Sequence, residues 1–569
     1  MRLTHRSILR FMAAAAVAAA IVPAALAATR SDKAEIARNL DIFNSLYKEL
    51  QVFYVDTIDA EKSINTAISA MLNDIDPYTE YISAKSQDDF ATMTSGEYGG
   101  IGSYIIERDG HVYISEPYEG SPAQEAGLRA GDRILMIDTT RVDGWKSAQV
   151  SERLKGQAGT TFRVKVQRPY VEDSIQTFDI TRRKIQMPAV PYHAVVKDNI
   201  GYIYLTSFTD KAAKEVRDAL VELKKDPRVK SIVLDLRGNG GGLLEAAVKI
   251  VSYFVPKNTE VLRTRGKSLL NEKIYKTTSA PIDTEIPLAV FIDGGSASAA
   301  EIVAGALQDL DRAVVIGARS FGKGLVQSTR PLPYDGMLKV TVAKYYIPSG
   351  RLIQAIDYSH RNPDGSVARI PDSLTNVYKT VHGREVRDGG GITPDVAITY
   401  PQANRLTYNI FRDNWAFDYA TRYAATHPTI PPAEEFTITD EIFTDFKQSI
   451  DPARFQYDRV CEKSLGSLRE IVKTEGYMND SVEAQFAVLE GMLKHNLDHD
   501  LDINRKAIEE ILAPEIIKRY YYQRGEIIEN LKHDETLDRA AEILNDRQRY
   551  NSLLSPSREK PGPAKQSGK

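Results

Sequence analysis

One cysteine, Cys461, is all that the 569-residue sequence contains. No intramolecular disulfide can form, and no multi-cysteine zinc or iron–sulfur centre can be built. Histidine is sparse as well. None of the nine falls in the glycine-rich segments where chemistry concentrates, so a histidine base has no candidate there. The balance of 73 Lys+Arg against 77 Asp+Glu leaves a formal charge of −4. The basic excess of a nucleic-acid-binding chain is therefore missing. Beyond residue 27 no apolar run reaches the ~18 residues of a membrane span. What is present is 42% apolar and 26% charged sequence, which excludes wholesale disorder. At about 150 residues per domain the length allows three or four domains.

The first residues carry an address. Arg2, Arg6 and Arg10 precede an alanine-rich apolar run from Phe11 to Leu26, and Ala25-Leu26-Ala27 supplies a small-x-small cleavage pattern. This predicts a signal peptide over 1–27, cleaved after Ala27. An uncleaved anchor is the competing reading, for which a run of roughly 16 residues is short. No cysteine follows, so a lipid anchor is excluded. The expected location is exported, in the periplasm or cell envelope of a bacterium, with no stable membrane anchor after cleavage.

Residues 28–92 read as helical, with Ile36, Leu40, Phe43, Leu46, Tyr47 and Leu50 on one face. From 93 to 183 the pattern turns to short alternating strands at His111–Ser115, Arg133–Ile137, Phe162–Gln167 and Ile175–Thr181. From Asn199 to about Tyr345 strands and helices alternate, with strands at Gly201–Thr206, Ser231–Leu236, Leu288–Ile292, Ala313–Ile316 and Leu338–Lys344. That interleaving predicts a sheet covered by crossover helices. Residues 401–554 are polar and helical, with one long stretch over 504–549. The tail 555–569 is Pro/Lys/Ser/Gly and reads as disordered.

Three small-residue clusters follow apolar strands. Arg237-Gly238-Asn239-Gly240-Gly241-Gly242 could hold a phosphate, form an oxyanion hole, or be only a tight turn. In Gly294-Gly295-Ser296-Ala297-Ser298-Ala299-Ala300-Glu301 a serine could cap the following helix or act as a nucleophile on a sharp turn. Gly317-Ala318-Arg319-Ser320-Phe321-Gly322-Lys323-Gly324 comes close to a phosphate-binding loop, but glycine replaces the magnesium-binding hydroxyl and the next segment has two prolines. A lysine desolvated among glycines can instead lose its proton and serve as a base. The second and third clusters then make a Ser–Lys pair, with Gln327 available to orient the lysine.

The runs GSASAAEIVAGALQDLDRAVVIGARSFGKGLVQ, LDLRGNGGG, KYYIPSGRLIQ and GITPDV resemble the C-terminal processing peptidases, or tail-specific proteases, of family S41. The stretch YGGIG followed by GSPAQEAGLRAGDRILMI resembles that family's inserted PDZ domain. The resemblance covers roughly residues 35–400. It implies a multidomain α/β and α+β chain: a helical N-terminal arm, a β-rich PDZ domain over 93–183, and an α/β serine peptidase core of crotonase-like or ClpP-like spiral type over 184–400. A helical C-terminal region over 401–554 follows. It implies Ser298 as nucleophile, Lys323 as base, Gln327 as the lysine's partner, and the amides of Gly242 and Ala299 as oxyanion hole, with Gly241 the neighbouring register. Ala300 departs from the family, which often has serine there. For the PDZ domain it implies carboxylate capture by Gly99, Gly100, Ile101 and Gly102. The N-terminal helices would be a lid or dimer arm.

No cofactor or metal is implied. The expected partners are protein or peptide substrates with free, apolar C-termini; self-association or an adaptor would be further partners. The implied function is a serine endopeptidase that processes or degrades exported proteins from their C-terminal ends. A catalytically silent PDZ scaffold of the cell envelope is the competing class, and nucleotide binding is a third.

Overall fold

The computed structural model describes residues 33–267, 272–358, 367–400, 404–455, 460–494 and 496–556. The signal segment 1–27 and most of the tail 555–569 lie outside the described residues. Among those residues no helix is long and apolar enough to cross a membrane. The chain separates into two units, residues 1–81 and 82–569.

In the first unit, helix α1 spans residues 33–53 and α2 spans Ala60–Ile75. Asp59 caps α2 by accepting from the Lys62 N–H. The Tyr47 hydroxyl meets Ser63 Oγ at 2.8 Å and joins the two helices. The apolar face of α1 is solvent-exposed at Ile36, Leu40 and Phe43.

In the second unit a helix over Gln87–Ser95 precedes β1 (Glu97–Gly100), β2 (Ser103–Arg108), β3 (His111–Pro117), β4 (Arg133–Ile137), α3 (Ser147–Leu154), β5 (Thr161–Gln167), β6 (Ile175–Thr181) and β7 (Arg183–Gln186). The strands pair in the order β2-β3-β4-β5-β6. The alternation read from the sequence places Val112, Ile114, Ile134, Phe162, Val164, Val166 and Ile180 in one buried cluster. Strand β2 forms the sheet edge, with α3 alongside it. Outside that sheet, β1 pairs antiparallel with β7.

The next layer begins with β8 (Tyr192–Val196), β9 (Ile200–Tyr204), α4 (Ala212–Leu223), β10 (Ser231–Asp235), α5 (Leu244–Val251), β11 (Glu260–Gly266), β12 (Leu288–Ile292), α6 (Ala299–Asp309) and β13 (Val314–Gly317). It ends with β14 (Leu325–Pro331), β15 (Met337–Tyr346) and β16 (Val396–Ala397). One sheet has the order β8-β9-β10-β12-β13-β16, parallel from β9 onward. Beside it, β15 pairs with both β11 and β14. Strands β10, β12 and β13 are buried at every residue, as a parallel sheet covered on both faces requires. Ile232, Leu234, Val290 and Val315 face α4, α5 and α6 through Val216, Leu220, Ile250, Val303 and Leu307.

The opposite face is covered by the far end of the chain. After α7 (Trp415–Thr426), α8 (Val460–Thr474), α9 (Asp480–Leu493) and α10 (Arg505–Lys532) come α11 (Glu535–Asn545) and α12 (Arg547–Leu553). Leu537, Ala540, Ile543, Leu544 and Tyr550 pack on Tyr202, Val233, Phe291, Val314 and Ile316. The Tyr550 hydroxyl accepts from the Leu288 N–H at 3.0 Å. The long helical stretch read over 504–549 is thus divided. Tyr522 leaves helical geometry at φ 51, ψ −161, and Asp534 caps a new helix by accepting from the Thr536 and Leu537 N–H groups.

The same helical region also holds the β2–β6 domain. Arg108 pairs with Asp418 at 2.6 Å, and Gln124 Nε2 donates to the Tyr522 hydroxyl at 2.5 Å. Glu116 is buried at this junction, facing Lys518, Glu526 and Arg519; burial pushes its carboxyl up to about 7. A carboxyl raised in the folded state favours folding when protonated, and that contribution is lost as pH rises through about 7. Glu116→Gln is therefore expected to raise the melting temperature at pH 8 by about 2–4 °C and to leave it unchanged at pH 5. Differential scanning calorimetry at both pH values checks this; equal shifts would remove Glu116 from the pH response.

Candidate active site

The three small-residue clusters meet at the C-terminal ends of adjacent parallel strands. The first follows β10, the second follows β12 and the third follows β13. Parallel order therefore brings them to one edge of the sheet, where open α/β sheets place their sites. Asp293, at the end of β12, accepts from the Gly238 and Gly295 N–H groups at 2.9 Å each. Asn239 is fully buried. Its amide donates to Leu205 O at 2.7 Å and its side-chain oxygen takes the Gly241 N–H at 2.9 Å. Its own carbonyl accepts from the Ala297 N–H at 2.9 Å. The first and second clusters are thereby locked together.

The two serines of the second cluster differ. Ser296 is fully buried and its hydroxyl donates to Leu236 O at 2.8 Å. That hydroxyl is committed to holding the turn. Ser298 is half-buried and sits at φ 56, ψ −112, immediately before α6. A non-glycine residue in this region is strained, and such strain collects where a side chain must be aimed. Of the two, Ser298 has the sharp strand-to-helix placement suited to a nucleophile.

Gly241 lies against it. A side chain there would put Cβ 2.8 Å from Ser298 Cβ and 3.0 Å from the Ala299 nitrogen, at φ 100, so glycine is required. The amides sort themselves in the same place. The Gly241 N–H is taken by Asn239. The bridge to Phe208 uses Gly241 O and the Leu243 N–H, leaving the Gly242 N–H outside it. Gly242 is also exposed. Of the two, Gly241 is the residue that lies against the Ala299 nitrogen at the start of α6, and Gly242 is the one whose N–H is outside these turn bonds.

Lys323 is half-buried in the third cluster. No helix follows it. The next element is strand β14, so the helix a phosphate-binding loop requires is not there. Gln327 lies in β14, at an irregularity in its pairing with β15, and its amide donates to Thr341 Oγ1 at 3.2 Å.

Two buried groups join the serine and lysine segments. Both were missed in the sequence. Glu301 has no exposed surface. One oxygen accepts from Ser320 Oγ at 2.5 Å and the Gly322 N–H at 2.7 Å. The other accepts from the Ser298 and Lys323 N–H groups, at 2.8 Å each. Burial pushes its carboxyl up to about 7, against four donors that favour the charged form. Opposite it, the buried Tyr345 hydroxyl lies 2.7 Å from Lys323 O and 3.2 Å from Ser298 O. Burial, with the Glu301 charge adding to it, raises that phenol well above its usual range, so it remains a donor. Glu301 had a local signal, since Ser-x-x-Glu before an apolar helix is a capping box. Tyr345 had none.

Outside the β2–β6 sheet, Gly99 and Gly100 lie in β1, paired with Lys184 and Arg183 of β7. Ile101 is buried, so any contribution to a ligand comes from its backbone. Gly102 turns at φ 72 just before the edge strand β2. Cys461 is exposed at the start of α8, a different part of the fold from the three clusters.

Comparison with known proteins divides the chain in the same order. Residues 113–168 match the family described as "PDZ domain", residues 199–367 match "Peptidase family S41", and residues 406–544 match "Probable PDZ-protease, C-terminal helical domain". A carboxy-terminal-processing protease of Bartonella bacilliformis is 35% identical over 386 residues, covering 67% of this chain and 87% of its own. A "Probable CtpA-like serine protease" of Staphylococcus haemolyticus is 33% identical over 374 residues, covering 65% and 73%. Among solved structures, the photosystem II D1 C-terminal processing protease aligns at 28% identity over 62% of this chain and 86% of that one, with a TM-score of 0.35.

Proposed function

The chain belongs to the carboxy-terminal-processing proteases of peptidase family S41 and is a serine-type peptidase; we propose that Ser298 is its nucleophile and Lys323 its general base. The observation that carries this reading is the strained Ser298 backbone held to the Lys323 backbone by Glu301 and Tyr345. In this mechanism the neutral Lys323 amine takes the Ser298 hydroxyl proton as the oxygen attacks a peptide carbonyl. The amides of Gly242 and Ala299 receive the developing oxyanion, at the positive end of α6. Lys323 gives its proton to the leaving amine, then takes one from the water that cleaves the acyl-enzyme. Gln327 orients the lysine from β14.

Substrates are exported proteins taken by their C-terminal ends. The tail adds to the edge of β2, in the groove beside α3, and its carboxylate meets the backbone of Gly99, Gly100, Ile101 and Gly102. A signal peptide over 1–27 delivers the enzyme to the same compartment.

The test uses the chain from residue 28 and an unfolded protein substrate with an apolar, free C-terminus. Amidating that terminus removes its charge and is expected to lower kcat/KM at least about ten-fold, the loss of a charge-assisted hydrogen bond. Equal cleavage of both forms would refute tail capture. A hydrolytically silent PDZ scaffold would cleave neither.

A further inference from the structure

Glu301 and Tyr345 touch the main chain of Ser298 and Lys323 from opposite chemical sides. The carboxylate takes both N–H groups, and the hydroxyl faces both carbonyls. Ser298 precedes α6 and Lys323 precedes β14, with 24 residues of chain between them. One backbone bond, from the Phe321 N–H to Ser296 O at 3.0 Å, ties the two segments, and neither Ser298 nor Lys323 takes part in it. Glu301 and Tyr345 come from α6 and β15, and both are buried in the same cluster of elements.

We propose that Glu301 and Tyr345 are positioning residues that together set the separation of nucleophile and base. The proposal rests on the assignment of Ser298 and Lys323 as the reacting pair. A capping box alone would use the Glu301 carboxylate only at the Ser298 N–H. It gives no reason for the same carboxylate to hold Gly322, Lys323 and Ser320, nor for a hydroxyl to face both carbonyls. Reaction between two side chains depends steeply on their approach, so a displacement of about 1 Å can cost about 10²-fold in rate.

The experiment compares Glu301→Gln and Tyr345→Phe with the unmodified enzyme, measuring kcat and KM on a peptide substrate. It also measures the rate at which a fluorophosphonate labels the active-site serine, per folded molecule. Glu301→Gln puts a donor where two acceptors are needed, and kcat is expected to fall by about 10²-fold. Tyr345→Phe removes one oxygen atom and leaves the ring packed. Its kcat is expected to fall by about ten-fold, the equivalent of one hydrogen bond. KM stays within two-fold in both (~2), because the substrate-binding surface is untouched. Labelling slows in parallel with kcat. If Glu301→Gln fails to fold, Tyr345→Phe decides. Unchanged kcat and labelling in a folded Tyr345→Phe enzyme would overturn the proposal, as would a loss confined to KM. Ser298→Ala and Lys323→Ala are measured alongside. Activity surviving in either refutes the reacting pair itself; inactive dyad variants beside a fully active Tyr345→Phe enzyme refute only the clip.

Discussion

Ser298→Ala is expected to lower kcat by on the order of 10⁶-fold, and Lys323→Ala by a comparable factor. In the proposed dyad the two act as one unit, since a serine hydroxyl without its base is a poor nucleophile and the base without the hydroxyl has nothing to activate. The double variant should therefore be no worse than either single one. The residual rate comes from the oxyanion amides and binding alone. Ser296→Ala supplies the contrast. Its hydroxyl is spent on Leu236 O inside the turn, so the variant should lose about 1–3 kcal/mol of stability and keep its kcat in the folded fraction. Single-turnover cleavage of a peptide substrate, with thermal unfolding of each variant, checks all four. A Ser298→Ala enzyme that still cleaves, or a Ser296→Ala enzyme that is folded and inactive, would reassign the nucleophile.

Truncation after Asp534 is expected to abolish cooperative folding of the peptidase region. The cut removes no residue of the three clusters. It does remove α11 and α12, and with them Leu537, Ile543, Leu544 and Tyr550 from one face of the parallel sheet. Fully burying each of these large apolar side chains is worth about 1.5–3 kcal/mol, so their joint loss is comparable with a net stability of roughly 5–15 kcal/mol. It would also leave Tyr202, Val233, Phe291 and Val314 facing water. The single change Tyr550→Ala should already cost about 3–5 kcal/mol, as other large aromatic truncations do. Circular dichroism melting curves of the truncated and full-length chains read the effect. A truncated chain with an unchanged transition would make the C-terminal helices an appendage.

Periodicity made most of the elements legible. The alternating strands β3, β4, β5 and β6, the strands β9, β10, β12, β13 and β15 and the helices α4, α5 and α6 lie within a few residues of where the apolar pattern puts them. Strands β1, β2, β7, β8, β11, β14 and β16 carry no such signal, because short or half-buried runs give weak alternation. The stretch 504–549 was read as continuous, since helix-forming residues carry no mark of the break at Tyr522, which sits where the chain contacts Gln124.

For the site, the sequence by itself determined which chemical groups are available: no thiol pair, no histidine among the glycines, a serine before a helix and a lysine among glycines. These follow from residue type and from local turn chemistry, which act over a few positions. Tertiary structure alone decided which groups meet. Parallel strand order carries three clusters to one sheet edge. Glu301 and Tyr345 then close residues 298 and 323 on each other, across a span of chain that no local pattern encodes. It also decided that the last helices belong to the core. A parallel sheet must bury both faces. The segment between β8 and β16 supplies α4, α5 and α6 to one of them, and the helices that cover the other arrive only after residue 534.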